Sequence, residues 1–420
     1  MSFNQIFKEK RALFEQYAEL LIKKGANVQK GQGLAIDCPV ECYEFGQLMV
    51  QKAYEHGSGH VELIYSDDVL RRLTFLNNDI SFFENPAQWK TELYNHLGRE
   101  GYAFIFLDGS NPMALKDIDP AKPAASQKAN SERCKEFRKA LDFNINQWNI
   151  AAVATKAWAN KVFSNLNEDE ALTKLWDLIF KIARADGSNP QDDWEEHKAA
   201  FDRRKRWLNE MQFSKLRYSN SKGTNLEVGL TDKHIWEGGG AFRQDKQVYF
   251  FPNMPTEEIF TSPDFRKVDG IVYSALPLAL FGDVVDEFWF KFEAGKIVDY
   301  GAQKGKELLD KLLSIDEGAR YLGECALVPK ESPIKQSGVL FYSTLYDENA
   351  SCHLATGKGF PECYEGGLEF TKEELADKGI NDSLTHVDFM IGTDDLSITG
   401  INAEGKEYPI FVDGTWAEGL

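Results

Sequence analysis

The sequence predicts an α/β N-terminal domain with a largely parallel sheet, followed by a mainly antiparallel, β-rich (α+β) C-terminal domain that carries a metal site. Three observations predict it. Short apolar runs alternate with amphipathic helical stretches through the first half, the pattern of strands joined by helical crossovers. Near residue 213 this gives way to strand pairs around tight turns. The histidines and acids with ligand character then gather at loop and strand-end positions of the second part. The division drawn from this is 1–212 and 213–420.

In chain order, Phe3, Ile6, Phe7, Leu13, Phe14, Tyr17, Leu20 and Leu21 recur at helical spacing, and Gly25 is placed to end that helix. Residues 34–38 read as a short buried strand after the Gly31–Gly33 turn. Residues 41–56 read as an amphipathic helix stopped by Gly57. A strand over 60–65 leads to a helix that Asp67 or Asp68 can cap. Strands follow at 103–107 and 149–154. Residues 111–131, rich in Pro, Ala, Asp and Lys, read as a long exposed loop. Helices are expected over 156–165, 168–185 and 194–211. The stripe Trp176, Leu178, Ile179, Ile182, Ala183 in the middle one is a core face. Beyond 213, hairpins are expected at 216–230, 288–300 and 396–412, with one helix near 304–313. The first half has no G-x-G-x-x-G and no lysine-bearing phosphate loop, which argues against a nucleotide fold.

Composition narrows the function. The chain has 420 residues, 43% hydrophobic and 27% charged, ample for a packed core and suggestive of two domains. A formal net charge of −18 repels phosphate backbones, and no basic stripe offsets it, so nucleic acid is not an expected partner. Cys38, Cys42, Cys134, Cys325, Cys352 and Cys363 are sparse and lack C-x-x-C spacing, as in a cytoplasmic protein with reduced thiols. The charged N-terminus reads as neither signal peptide nor membrane span.

Four places in the second half offer ligands. Glu257 and Glu258 sit between Pro255 and Pro263. Glu324 lies inside a strand-like apolar run, where an unpaired carboxylate is costly to bury. Glu348 precedes His353. His386 and Asp388 are two apart, so in a strand they share one face. Two imidazoles with three or four carboxylates are too much negative charge to bury without cations. Mixed His and carboxylate ligation suits Zn, Co or Mn, and two ions balance it better than one. A metal pair activates a bridging water and polarises a carbonyl, so hydrolysis follows. Each residue also has a plainer reading. Glu257 and Glu258 alone suit a solvated helix start, and a single H-x-D is more often structural than ligating. His56, His60, His96, His197 and His234 lie in polar or helix-end settings and read as structural. A Cys352 thiol nucleophile is disfavoured, because neighbours in a strand point to opposite faces and His353 is next to it.

With these residues assembled, the sequence resembles the aminopeptidase T/aminopeptidase S/PepS family of metallo-aminopeptidases. The likeness spans essentially the whole chain. It is carried by YAELLIKKGANVQKGQ (17–32), NMPTEEIFTSPD (253–264), LGECALVP (322–329), LYDENASCHLATGKGFP (345–361) and HVDFMIG (386–392) in matching order. The resemblance implies a two-domain, cytosolic-type homodimer with two metal ions that cleaves one residue from peptide N-termini. It implies Glu258, Glu324, His353, His386 and Asp388 as ligands, with Glu324 bridging. Glu348 would be a further ligand or a proton carrier, and Glu324 or Glu348 would shuttle the proton. The sequence departs from the family at Phe360, where the pattern after the first histidine has tyrosine. Tyr364 or a water would replace that phenol, or the site tolerates its loss. A metal-stabilised peptide-binding protein without turnover is the alternative.

Overall fold

The computed structural model describes residues 3–281 and 283–420. The chain forms two compact units. One runs from the N-terminus through Glu196 and includes Gly240–Pro255; the other comprises His197–Gly239 and Thr256–Leu420.

The first unit is built on a parallel sheet in the order Val61–Ser66, Leu34–Pro39, Ala103–Asp108, Trp148–Ala152, Asn253–Met254. Numbered along the chain this is 2-1-3-4-5, a doubly wound α/β order. The helices begin and end where local chemistry requires. Asp67 accepts hydrogen bonds from the backbone N–H groups of Val69 and Leu70 at 2.8 and 3.2 Å and so caps Asp68–Asn77. Gly57, at φ 96°, takes the left-handed position that ends Tyr43–His56. The expected stripe is a core face: Trp176 packs on Phe14 with ring centroids 4.7 Å apart, and both are fully buried. One expectation fails. Residues 121–133 form a helix instead of continuing an exposed loop. Pro123 falls in the first turn, where its missing N–H has no helical partner to lose, and the alanines that follow favour helix. The helix ending at Met211 also begins earlier than expected, at Pro190.

The second unit holds two antiparallel sheets. The larger contains Lys215–Ser219, Asn225–Leu230, Pro263–Tyr273, Asp283–Glu293, Lys296–Lys304, Ser397–Ile401 and Glu407–Val412. The smaller runs His386–Met390, His353–Gly357, Leu322–Leu327, Ile259–Thr261, Glu237–Gly238, every neighbour antiparallel. One face of the smaller sheet, with Ile259, Cys325, Leu327, Cys352, Leu354 and Phe389, joins the core formed with Leu216, Val228, Phe288 and Phe290 of the larger. Phe389 meets Phe290 edge-on at 5.1 Å across the two sheets. Apolar burial on this face lets the other face carry charge.

Candidate metal centre

Strand register selects which side chains reach the second face. In the smaller sheet Phe260 lies opposite Ala326, Ala326 opposite His353, and His353 opposite Met390. Counting by twos from these pairs puts Glu258, Phe260, Glu324, Ala326, His353, Ala355, His386 and Asp388 on one face. Four strands therefore deliver five potential ligands to one surface, with the small side chains of Ala326 and Ala355 between them.

A bulge makes this possible. Leu322 pairs with Thr356 and Glu324 with Ala355, so Gly323 is an extra residue. Without it Leu322 and Glu324 would share a face. With it, Leu322, Cys325 and Leu327 enter the core while Glu324 faces the site. A Cβ at position 323 would crowd the Lys358 and Gly357 carbonyl oxygens far inside the 3.0 Å that Cβ atoms keep.

The ligand atoms fall into two groups that share Glu324: Glu258, Glu324 and His353, and Glu324, His386 and Asp388, the atoms of each within 4.8 Å of one another. His353 Nε2 is 3.3 Å from Glu258 Oε2 and 3.9 Å from Glu324 Oε1. His386 Nε2 is 3.1 Å from Glu324 Oε2 and 3.2 Å from Asp388 Oδ1. The two oxygens of Glu324 thus face different imidazoles. Both rings are oriented from behind. His353 Nδ1 lies 3.1 Å from the Ser351 carbonyl and His386 Nδ1 lies 2.7 Å from the Lys358 carbonyl. A carbonyl only accepts, so Nδ1 carries the proton and, in the neutral ring, Nε2 keeps its lone pair for a metal.

Among the described residues no lysine or arginine pairs with these acids, and the imbalance shows in their protonation. Burial pulls the His353 imidazole down, but Glu258 and then Glu324 and Asp388 outweigh it and push it up to about 10. His386 is likewise drawn down by burial and pushed up to about 11 by Asp388 and Glu324. Burial raises Glu324 to about 7 even with His386 beside it. Asp388 stays below the usual carboxylate range: His386 and His353 overcome its burial. Protons here do the work that cations do in a metal site, so the residues fit divalent ions.

The remaining predicted residue, Glu348, sits on a single helical turn, Glu348–Ala350, half-buried. It is in neither group of three, yet burial and the charges of Glu258 and Asp388 push its carboxyl well above the usual range, as for a group close to those acids. Glu257 does not begin a helix; it is buried and points toward His197, with His197 Nε2 3.9 Å from Glu257 Oε2. Cys352 lies on the core face, its Sγ donating to the Val328 carbonyl at 3.3 Å.

The profile of the thermophilic metalloprotease family M29 matches residues 10–416. The chain belongs to this family. Aminopeptidase 2 of Geobacillus stearothermophilus is 42% identical over 96% of this chain and 97% of its own length. Aminopeptidase AmpS of Bacillus subtilis is 41% identical over 96% and 97%. The solved structure of wild-type AmpT from Thermus thermophilus superposes with a TM-score of 0.89 at 37% identity, covering 98% of this chain and 100% of that one.

In this M29 metalloprotease Tyr364 does not stand in for a phenol at position 360. Its hydroxyl donates to Asp232 at 3.0 Å, and its ring packs on Phe370. Phe360 itself lies beside the site, its ring centroid 5.0 Å from that of His386. Sequence reasoning missed three supports. One is the Gly323 bulge, which an isolated glycine in a strand pattern signals. Another is the Lys358 carbonyl. The third is Asn349, fully buried, which accepts from the Glu257 N–H at 2.6 Å and donates to the Leu345 carbonyl at 3.1 Å and to Glu348 Oε1 at 3.4 Å. Nothing local marks Asn349 or the Lys358 carbonyl.

Proposed function

We propose a dinuclear centre in which Glu258, Glu324 and His353 hold one divalent ion, Glu324, His386 and Asp388 hold the other, and Glu324 bridges. Zn, Co or Mn suits this set of imidazole and carboxylate donors. Membership of a metalloprotease family and aminopeptidase relatives across nearly the whole chain make the protein a metal-dependent aminopeptidase. Short peptides with a free N-terminus are its substrates. We take residues 213–420, less the Gly240–Pro255 segment that belongs to the first unit, as the catalytic domain and, on the family resemblance, the protein as a cytoplasmic homodimer.

Glu324 carries the dinuclear reading, because its two oxygens are turned to two different imidazoles, each with its own second carboxylate. When bound, the ions supply Lewis acidity for a water and for the scissile carbonyl. The protein does the rest. The Ser351 and Lys358 carbonyls fix the imidazoles. Glu348, outside both groups, takes the proton of the attacking water and returns it to the leaving amine. Contact of the substrate's free α-amine with an ion or a neighbouring carboxylate would select for an N-terminus, which an internal peptide segment lacks.

Release of N-terminal residues from chromogenic aminoacyl substrates, with Zn, Co or Mn added and with a chelator, tests this. Turnover is expected to need metal and to fall by about 10³-fold or more in Glu324→Gln and His386→Ala, since an interaction that assembles the whole site is lost. Unchanged turnover in these variants sinks the site assignment. Peptide binding without turnover in the wild type would instead favour a binding protein.

A further inference from the structure

Beside the charged groups the ligand-bearing face carries something the hydrolytic step does not need: a partly uncovered pair of aromatic rings. Phe260 is two residues beyond Glu258 on the same strand edge, opposite Ala326, and therefore stands on the same face. Phe360 reaches this face from the loop after strand His353–Gly357. The two rings meet edge-on with centroids 5.3 Å apart, and Phe360 lies 5.0 Å from the His386 ring. The pair is held in place, not draped. The Phe360 backbone N–H donates at 2.8 Å to Ser262 Oγ, whose residue is fully buried, and Phe260 is fixed by its strand pairing. Both rings are only half-buried, whereas the large apolar side chains on the opposite face of this sheet are buried almost completely. Between the rings and the ligands the floor is alanine at 326 and 355, both fully buried.

From this juxtaposition we infer that Phe260 and Phe360 form the wall against which the side chain of the substrate's N-terminal residue packs, and that the enzyme favours apolar N-terminal residues such as leucine and phenylalanine over glycine and alanine. The inference rests on the aminopeptidase reading above. A peptide whose α-amine and first carbonyl lie at the ligand cluster projects its first side chain within a few ångströms of those groups. A half-covered aromatic pair at that distance gains from an apolar side chain that completes its burial. Phenylalanine at 360 adds apolar surface there without placing a hydroxyl beside His386.

The test compares kcat/KM for leucyl, phenylalanyl, alanyl and glycyl chromogenic substrates in the wild type, Phe260→Ala, Phe360→Ala and Phe360→Tyr, with bound metal measured in each. The expected result is a wild-type preference for leucyl over alanyl of about 10-fold or more, reduced by roughly 10-fold in either alanine variant at unchanged metal content, and kept in Phe360→Tyr, which restores the ring. A merely structural role would lower all four substrates together. That outcome, or a wild type that prefers alanyl or glycyl, overturns the assignment. Should the wild type turn over none of them, the aminopeptidase reading fails separately. Calorimetric binding of leucine hydroxamate against glycine hydroxamate then decides the wall alone. Tighter leucine binding that is lost in Phe360→Ala supports it, and equal binding refutes it.

Discussion

Replacing Gly323 by alanine tests whether strand register or ligand identity sets the site. The perturbation is one methyl group that touches no proposed ligand. Its Cβ would press on the carbonyl oxygens of Gly357 and Lys358 well inside 3.0 Å, and both oxygens are tied down. Asn381 Nδ2 donates to the first at 2.6 Å and His386 Nδ1 to the second at 2.7 Å, while the Lys358 N–H donates to the Thr385 carbonyl at 2.8 Å. Backbone must therefore give by ~0.5–1 Å, the kind of overpacking that costs about 1–3 kcal/mol. A His386 hydrogen bond stretched by that amount is no longer a good one, which adds about 0.5–1.5 kcal/mol. Losing the group that orients an imidazole ligand costs roughly 10–100-fold in metal affinity or activity. Gly323→Ala is thus expected to destabilise the metal-free protein by about 2–4 kcal/mol. Metal binding should weaken in parallel, with all six proposed site residues intact. Thermal unfolding in chelator, metal titration of the folded protein, and kcat/KM at saturating metal measure the three. Wild-type metal affinity and turnover in Gly323→Ala would refute the argument that the bulge aims Glu324 and His386.

Asn349→Asp keeps an acceptor for the Glu257 N–H but turns a second oxygen toward the Leu345 carbonyl and the Glu348 carboxylate, so kcat is expected to fall about 100-fold with the fold retained by circular dichroism; wild-type kcat would show that Asn349 does not position Glu348. Cys352→Ala removes a thiol on the core side of its strand, and turnover is expected to stay within about twofold of wild type, where a large loss would revive the thiol nucleophile. In the metal-free protein Glu324, His353 and His386 all hold protons more tightly folded than unfolded. The stability they contribute is complete in mild acid, fades as pH rises toward 7 for Glu324, and fades from about 6.5 toward 10 and 11 for the imidazoles. The melting temperature in chelator is therefore expected to fall between pH 6 and 10, and a rise over that range would contradict the charge surplus.

What could be read in advance depended on whether the deciding interaction was local. The strands at 34–38 and 103–107 announced themselves by uninterrupted apolar runs, and the shared face of His386 and Asp388 followed from a spacing of two. The helix at 121–133 reads as loop because it lies in a stretch, 111–131, rich in Pro, Asp and Lys as well as Ala, and the rule that spares a proline in the first turn depends on where the helix starts. Glu258 and His353 illustrate the opposite case. Ninety-five residues separate them, yet their side chains meet at 3.3 Å through pairings of Ile259–Thr261 and His353–Gly357 with the strand between them. Local pattern offered His353 and the Glu257/Glu258 pair as candidates; the family resemblance chose Glu258 and joined it to His353 in one ligand set. Phe260 looked like another strand apolar, and only the register showed that it stands on the charged side. Asn349 sat inside a quoted motif, but its role depends on a backbone N–H from a distant segment.

The smaller sheet separates stability from chemistry by face, and that separation explains why so many acids can be gathered. Burial of Ile259, Cys325, Leu327, Leu354 and Phe389 on one side holds four strands in register whatever the charge state of the other. The acids then face one another because the backbone leaves them no alternative. The free energy of their repulsion is released by whatever neutralises it. At neutral pH without metal that means protons on His353 and His386 and a partly protonated Glu324. Divalent ions must displace these protons to bind, so metal uptake releases protons and weakens as the pH falls. A site assembled by strand pairing rather than by its ions should accordingly keep its fold when the metal is removed, unlike small domains whose folding and metal binding are a single event.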